Sequence, residues 1–165
     1  MFSLKYAANY KKNFTFAHHI KKMLEKKSFN THKAPEPVGK YPHAKKVGNL
    51  LFLSGVGPRK PNSQEIPGVT LDEKGNILNY DIEIQCRSVF ENVKIILEEA
   101  GLQWTDIVDV TVFLTNMKKD FPIYNQLWAE YFSENPPCRT TIEILSLPTP
   151  IAIELKVIAA YPENT

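Results

Sequence analysis

The sequence lacks the features that mark several well-known functional classes. No apolar run approaches the length of about 18 residues that is needed to cross a bilayer. The chain contains no Gly-x-Ser-x-Gly element, no complete phosphate-binding loop and no dinucleotide-binding glycine fingerprint. We therefore predict neither membrane insertion nor a serine triad, and no nucleotide binding through these motifs.

Cysteine and histidine are too few and too scattered to predict a metal site. The two cysteines, Cys86 and Cys138, are far apart, and His43 is the one histidine of four that falls outside residues 1–33. We expect reduced thiols in a cytoplasmic protein. Cys86 lies on the apolar stripe of a predicted helix, so we expect it to pack in the core.

Charge is distributed unevenly along the chain. Residues 1–33 carry eight lysines and one glutamate, a net charge of +7, which leaves −5 for residues 34–165. An acidic body argues against nucleic acid as the main partner of the folded domain. The basic segment is predicted to be an N-terminal extension: a solvated tail or added helix, a targeting presequence, or an arm that touches membrane or nucleic acid.

Local patterns predict a single α+β domain over residues 34–165, which starts at the proline-paced segment 34–39. A hairpin is expected around Gly48-Asn49, and a helix of about twenty residues is expected from an Asp81 N-cap to Gly101. Residues 107–114 predict a central strand, and Pro122 suits the first turn of a second helix. The order β-β-(β)-α-β-α-β-β indicates two helices on one face of a mixed or antiparallel sheet.

Four polar features stand out against this frame. Arg139 follows two prolines and opens a predicted strand, where its forked guanidinium suits a carboxylate. Glu154 interrupts an apolar strand, so it lies either on a solvated face or in a functional site. Lys156 lies on the same strand face and, if it is close to Glu154, would favour the ionised form of that carboxyl group. Asn125, on an apolar helix stripe, is expected to bond neighbouring backbone or to shape a site. Ser54-Gly55 ends a strand, either as a plain turn or where backbone approaches a ligand.

Seven groups of short stretches, in the same order, resemble the RidA/YjgF family of imine deaminases. The resemblance runs from about Ala34 to Tyr161. The stretches are Val38–Tyr41, Leu51–Gly55, Asn92-Val93 with Ala100–Leu102, Val110–Leu114, Tyr124-Asn125, Pro137–Arg139 and Ile153–Ala159. Within the family, Tyr41–His43, Arg59–Pro61, Thr115–Met117 and Arg139–Thr141 look most similar to the 2-aminomuconate deaminase branch.

The resemblance implies a chorismate-mutase-like α+β subunit that forms a homotrimer, with cofactor-free active sites between subunits. It implies that Arg139 clamps a substrate carboxylate and that Glu154 positions the attacking water. Further pocket residues would be Tyr41, Ser54, Gly55, Asn125 and Thr141. The family has a cysteine at the position of Thr141, and this difference favours the aminomuconate branch.

The implied substrate is a small anionic enamine or imine, with 2-aminomuconate favoured over general 2-iminoacids such as 2-aminoacrylate. A second carboxylate would need a second cationic site, for which Arg59, Lys60 and His43 are candidates. Two other classes remain open from the sequence. One is an RNA-cleaving relative, and the other is a ligand-binding module without catalysis.

Overall fold

The computed structural model describes residues 25–63 and 65–162. Within these ranges the chain forms eight strands, two α-helices and a short 3₁₀ turn at Trp104–Asp106. The strands are β1 (Lys26–Phe29), β2 (Ala44–Val47), β3 (Leu50–Leu53), β4 (Val69–Leu71), β5 (Ile77–Tyr80), β6 (Ile107–Leu114), β7 (Cys138–Glu143) and β8 (Ile153–Ala160), and the helices are α1 (Ile82–Glu99) and α2 (Met117–Tyr131).

Six of the strands form one mixed sheet in the order β1-β2-β3-β8-β6-β7. Neighbours are antiparallel except β6 and β7, which are parallel because α2 carries the chain back between them. Strands β4 and β5 form a separate hairpin, of which β5 was not predicted. Buried residues of both helices share one core with alternate residues of β6 and β8, so both helices pack on the same face. The predicted α+β architecture is confirmed.

Helix α1 begins and ends where the sequence indicates. The Asp81 side chain accepts the N–H of Ile84 at the N-terminus. At the other end Gly101 adopts φ of 78°, and Leu102 donates its N–H to Leu97. This left-handed residue turns the chain towards β6. The predicted hairpin is also present, since Val47 pairs with Leu50 around the two-residue turn.

Helix α2 begins earlier than predicted. Its N-cap is Asn116, whose side chain accepts the N–H of Lys119 at 3.0 Å. Pro122 therefore lies inside the helix and not in its first turn. The capping asparagine, which the sequence analysis did not use, starts the helix one turn before the proline, and Pro122 removes a single backbone hydrogen bond there.

The folded unit starts before the boundary predicted at residue 34. Strand β1 pairs with β2 from Lys26↔Val47 to Phe29↔Ala44, so it forms the edge of the main sheet. Ala34 is buried in the core. Part of the predicted extension therefore belongs to the domain, because its backbone satisfies the free edge of β2. The amphipathic pattern expected within residues 1–24 lies outside the described residues.

The sheet face opposite the helices is not covered within the described ranges. Strand register places apolar Phe52, Phe113, Ile142 and Ile158 on this face, together with Lys156. All of them are partly or largely exposed. We call this surface the open face. Among the described residues, no helix is both long enough and apolar enough to span a bilayer.

Candidate active site

Glu154 is held where the segment after β3 meets β8. Val56 and Leu155 exchange two backbone hydrogen bonds of 2.8 and 2.9 Å, which ties that segment to β8. The Glu154 carboxylate then lies against Gly55: a methyl group at Gly55 would be 2.7 Å from the carboxyl carbon. A side chain at this position would therefore displace the carboxylate.

A cleft opens on the other side of Gly55. It is lined by Pro37, Tyr41, His43, Ser54, Gly55 and Arg59, and we call it the Gly55 cleft. Tyr41 is exposed. The Ser54 hydroxyl donates to the Pro42 carbonyl at 2.6 Å, which leaves its oxygen able to accept a further bond. Three of the residues that the sequence analysis selected, Tyr41, Ser54 and Gly55, therefore line one cleft, and Gly55 also contacts Glu154.

The three candidates for a second anion site differ in their surroundings. His43 is buried, with one ring nitrogen bonded to the Pro35 carbonyl at 3.0 Å and the other facing the Thr31 N–H at 3.3 Å. Lys60 forms an ion pair with Glu65 at 2.7 Å. His43 is therefore structural, and Lys60 is already paired. Arg59 lines the cleft, and its guanidinium bonds a backbone carbonyl and no carboxylate among the described residues.

Arg139, on β7, is held by α2. Its guanidinium lies over the ring of Trp128, 4.8 Å from the centroid, and within 6 Å of the rings of Phe121 and Tyr124. Its Nη1 donates to the Asn125 side-chain oxygen at 3.0 Å. Three aromatic faces and an amide therefore fix a cation that has no carboxylate partner within the described residues. We call these five residues the Arg139 cluster.

Two buried hydroxyl groups accompany this cluster. Thr141 lies two residues along β7, on the same strand face as Arg139. Its Oγ1 is buried and, like the Tyr124 hydroxyl, has no hydrogen-bond partner among the described residues. Burial raises the pKa of Tyr124, so this hydroxyl stays protonated. Unpartnered buried polar atoms are costly, and a polar ligand beside Arg139 would relieve that cost.

Arg139 and Glu154 lie on opposite faces of the sheet within one chain. Arg139 is aligned with Val110 of β6, a buried residue on the helix side. Glu154 is aligned with Phe113, which follows the buried Val112 in the strand. Because successive side chains point to opposite faces, Glu154 belongs to the open face. One chain alone does not bring the guanidinium and the carboxylate into one cavity.

Burial raises the pKa of Glu154 above its ordinary range. The expected lowering by Lys156 does not prevail, because desolvation dominates although Lys156 lies on the same strand face. A carboxyl group with a raised pKa is a stronger base than an ordinary glutamate, which favours both accepting and returning a proton. This electrostatic environment suits acid–base work better than a salt-bridged carboxylate would.

A family model described as Endoribonuclease L-PSP matches residues 31–161. The chain belongs to this family. A RutC family protein of Pyrococcus abyssi is 40% identical over 136 residues, covering 82% of this chain and 98% of the relative. TdcF of Escherichia coli, which carries the provisional name reactive intermediate deaminase, is 33% identical over 137 residues, covering 81% and 96%.

Solved structures of the family agree with the fold. Yeast Mmf1 superposes with a TM-score of 0.72 at 30% identity, covering 84% of this chain and 100% of that one. E. coli TdcF, solved with bound serine, gives 0.70 at 32% identity, covering 82% and 99%. The YjgF gene product of E. coli also gives 0.70 at 32%, with the same coverage. The resemblance to RidA/YjgF proteins is thereby confirmed.

For this family member, the structure corrects one expectation about Asn125. The residue was expected on the apolar stripe of α2, but it is exposed and bonds the Arg139 side chain instead of backbone. Cys86 is buried as predicted, and burial raises the pKa of its thiol to about 12. The thiol therefore packs in the core and does not act as a nucleophile.

Two structural roles were missed from the sequence. The rings of α2 form the wall under Arg139, a role that the sequence analysis did not assign to them. Asn92 is buried and donates to the carbonyls of Gly57 and Arg59, both at 2.9 Å. A buried asparagine among apolar residues of a helix was the available signal, because such an amide must find partners.

Proposed function

We propose that the protein is an imine and enamine deaminase that needs no cofactor and acts on a small carboxylate substrate. One observation carries the proposal: Arg139 and Glu154 are a fixed cation and a desolvated acid, and neither has an oppositely charged partner among the described residues. Unpaired charges held in place by packing are typical of binding and catalytic groups. The provisional name of TdcF supports the same chemistry.

We propose a homotrimer whose sites lie between subunits, with Arg139 from one chain and Glu154 from the next. The two groups lie on opposite faces within a chain, so two copies are needed to place them around one substrate. The open face offers partly exposed Phe52, Phe113 and Ile142 for contact between copies. Each closed ring of identical interfaces then contains identical sites.

The proposed reaction begins with tautomerisation of the enamine to an imine. Arg139 binds the adjacent carboxylate, a charge-assisted bond that contributes about 1.5–3 kcal/mol. The Glu154 carboxylate takes a proton from water as its oxygen attacks the imine carbon. Glu154 then gives this proton to the nitrogen, which forms a tetrahedral carbinolamine and leaves Glu154 a carboxylate. Glu154 next moves the hydroxyl proton of the carbinolamine to the nitrogen as the C=O bond forms and the C–N bond breaks, and ammonia and a keto acid leave the site.

The substrate we favour is 2-aminomuconate, with general 2-iminoacids as the alternative. Thr141 occupies the position of the cysteine expected in RidA proteins, and it keeps the backbone N–H without a thiol. The neighbouring unpartnered hydroxyls of Thr141 and Tyr124 add polar capacity beside Arg139. The alternative draws support from the provisional name of TdcF, reactive intermediate deaminase.

RNA cleavage is a second candidate because the family model is described as an endoribonuclease. The part of the chain that the structure describes, residues 25–63 and 65–162, carries 15 basic and 17 acidic residues, a net charge of −2, which weighs against it because nucleic-acid surfaces are normally basic. Incubation of the purified protein with RNA, in parallel with an ammonia-release assay, separates the two. RNA degradation that survives R139A and E154Q, without ammonia release by the wild type, would favour this second function.

The experiment that tests the deaminase is subunit mixing. Arg139→Ala and Glu154→Gln should each be inactive in ammonia release, yet random mixed trimers should recover about one quarter of wild-type activity, because each site takes one residue from each of two chains. R139A mixed with the R139A/E154Q double variant should recover nothing. Arg87→Ala is the matched control, since Arg87 is exposed and pairs with Glu83 and Glu130. Mixed trimers that stay inactive contradict the shared site.

A further inference from the structure

The three arginines of the chain fall into two groups according to their partners. Arg87 is neutralised by Glu83 at 2.8 Å and Glu130 at 3.2 Å. Arg139 and Arg59 have no carboxylate partner among the residues described, 25–63 and 65–162. Guanidinium groups match carboxylates through two parallel hydrogen bonds. Two arginines without acidic partners therefore leave two carboxylate-binding positions open.

The backbone of Arg59 is fixed to helix α1. Asn92 is 3% exposed, and its amide nitrogen donates to the carbonyls of both Gly57 and Arg59 at 2.9 Å. The Ser88 hydroxyl donates to the carbonyl between them, that of Pro58, at 2.8 Å. Three consecutive carbonyls are thereby held by two side chains of one helix. A cation on this segment starts from a defined position, which lowers the entropy cost of binding.

The side chain of Arg59 lines the Gly55 cleft together with Tyr41 and Ser54. Its Nη2 donates to the Glu36 backbone carbonyl at 2.7 Å. A guanidinium has five N–H donors, so this bond orients the group and leaves most of its donors for a ligand. A neutral carbonyl positions the cation without cancelling its charge. The neighbouring Lys60, by contrast, is paired with Glu65 and does not line the cleft.

We infer that Arg59 binds the second carboxylate of an extended dicarboxylate substrate and thereby sets the substrate class. This inference rests on the proposed function, in which Arg139 of one subunit binds the carboxylate next to the imine. A conjugated six-carbon diacid carries its carboxylates at opposite ends. Glu154 lies against Gly55, and Gly55 and Arg59 line the same cleft of one chain. In the proposed arrangement the reacting carbon lies near Glu154 and the second carboxylate binds Arg59. An enamine with a single carboxylate has no second carboxylate for Arg59 to bind.

The kinetic test compares Arg59→Ala with Lys60→Ala, a matched loss of one positive charge at the next residue. Ammonia release is measured with 2-aminomuconate and with 2-aminoacrylate, each generated in situ. For R59A we expect KM for 2-aminomuconate to rise about 10- to 100-fold, and any loss with 2-aminoacrylate to be at least tenfold smaller. R59K should recover part of the difference. Equal losses on both substrates, or an equal effect of K60A, would overturn the inference.

A binding test separates failure of this inference from failure of the deaminase. Muconate and sorbate are conjugated six-carbon acids with two carboxylates and one, and neither carries an amine to release. We expect calorimetry on the full chain to show muconate binding about 10- to 100-fold more tightly than sorbate, with R59A removing the difference. If muconate binds more tightly than sorbate but no ammonia is released from either enamine, the role of Arg59 is retained and the deaminase function is rejected. Absence of discrimination by the wild type would reject Arg59 whatever the turnover.

Discussion

The two halves of the candidate site are built in different ways. Glu154 is positioned by backbone: the bridge between Val56 and Leu155 fixes its strand, and Gly55 leaves only enough room for the carboxylate. Arg139 is positioned by side chains, with aromatic rings beneath it and Asn125 at one nitrogen. A methyl group added at Gly55 would displace the Glu154 carboxylate, whereas Arg139 would still contact two aromatic rings if one of the three were removed. We therefore expect a substitution beside Glu154 to cause a large loss of activity, and a substitution of one ring beside Arg139 to cause a smaller one.

The largest effect is expected at the acid itself. Glu154→Gln keeps the shape of the side chain but removes the base, so kcat for ammonia release should fall by about 10²- to 10⁴-fold. KM should change little, because in the proposed mechanism Arg139, and not Glu154, binds the substrate carboxylate. Steady-state kinetics check both parameters. A variant that keeps kcat within threefold of the wild type would remove Glu154 from the mechanism.

Gly55→Ala tests the half of the site around Glu154 without changing a charged group. The added methyl group would overlap the carboxylate of Glu154 and push it from its position, and misplacement of a reacting group by about 1 Å can cost on the order of 10²-fold in kcat/KM. The double variant G55A/E154Q supplies the control. If the loss acts through Glu154, adding G55A to E154Q should cost little more. Full additivity of the two losses would mean that Gly55 acts elsewhere.

Trp128→Leu tests the half of the site around Arg139. Removing the ring 4.8 Å from the Arg139 guanidinium deletes an attraction of about 0.5–2 kcal/mol, so KM should rise about 2- to 30-fold with kcat largely kept. Trp104→Leu is the matched control, since Trp104 stacks on Phe132 and makes no recorded contact with Arg139. Both variants should lose stability, but W104L should leave KM unchanged. Equal KM changes in both would show that the ring acts through packing alone.

The smallest effect concerns stability as a function of pH. The pKa of Glu154 is raised in the folded state, so the folded protein binds this proton more tightly than the unfolded chain does. In the unfolded chain a glutamate has a pKa of about 4.3. Stability is therefore lost as pH rises from the unfolded pKa through the folded pKa. Thermal unfolding of wild type and E154Q should show E154Q becoming relatively more stable over that range. If the stability of E154Q relative to wild type increased as pH falls, the sign of the shift would be contradicted.

Local elements were predictable because their signals are local. Asp81 and Gly101 bound α1 as expected, and the hairpin at Gly48-Asn49 needs only adjacent residues. Errors arose where a longer-range interaction decided the outcome. Strand β1 exists because β2 offers it an edge, and Asn125 faces outwards because Arg139 from another element binds it. Neither partner is visible in the sequence next to the residue concerned.

The amino-acid sequence by itself determined the family and the two helices, since these depend on ordered motifs and short-range periodicity, and it selected Arg139 and Glu154 as the proposed charged pair. Tertiary structure alone decided which side of the sheet each charge occupies. That choice depends on the parallel register of β7 on β6 and the antiparallel register of β8 on β6, in which a shift of one residue would exchange the faces. Because the registers place Arg139 and Glu154 apart, the proposed chemistry requires a second copy of the chain.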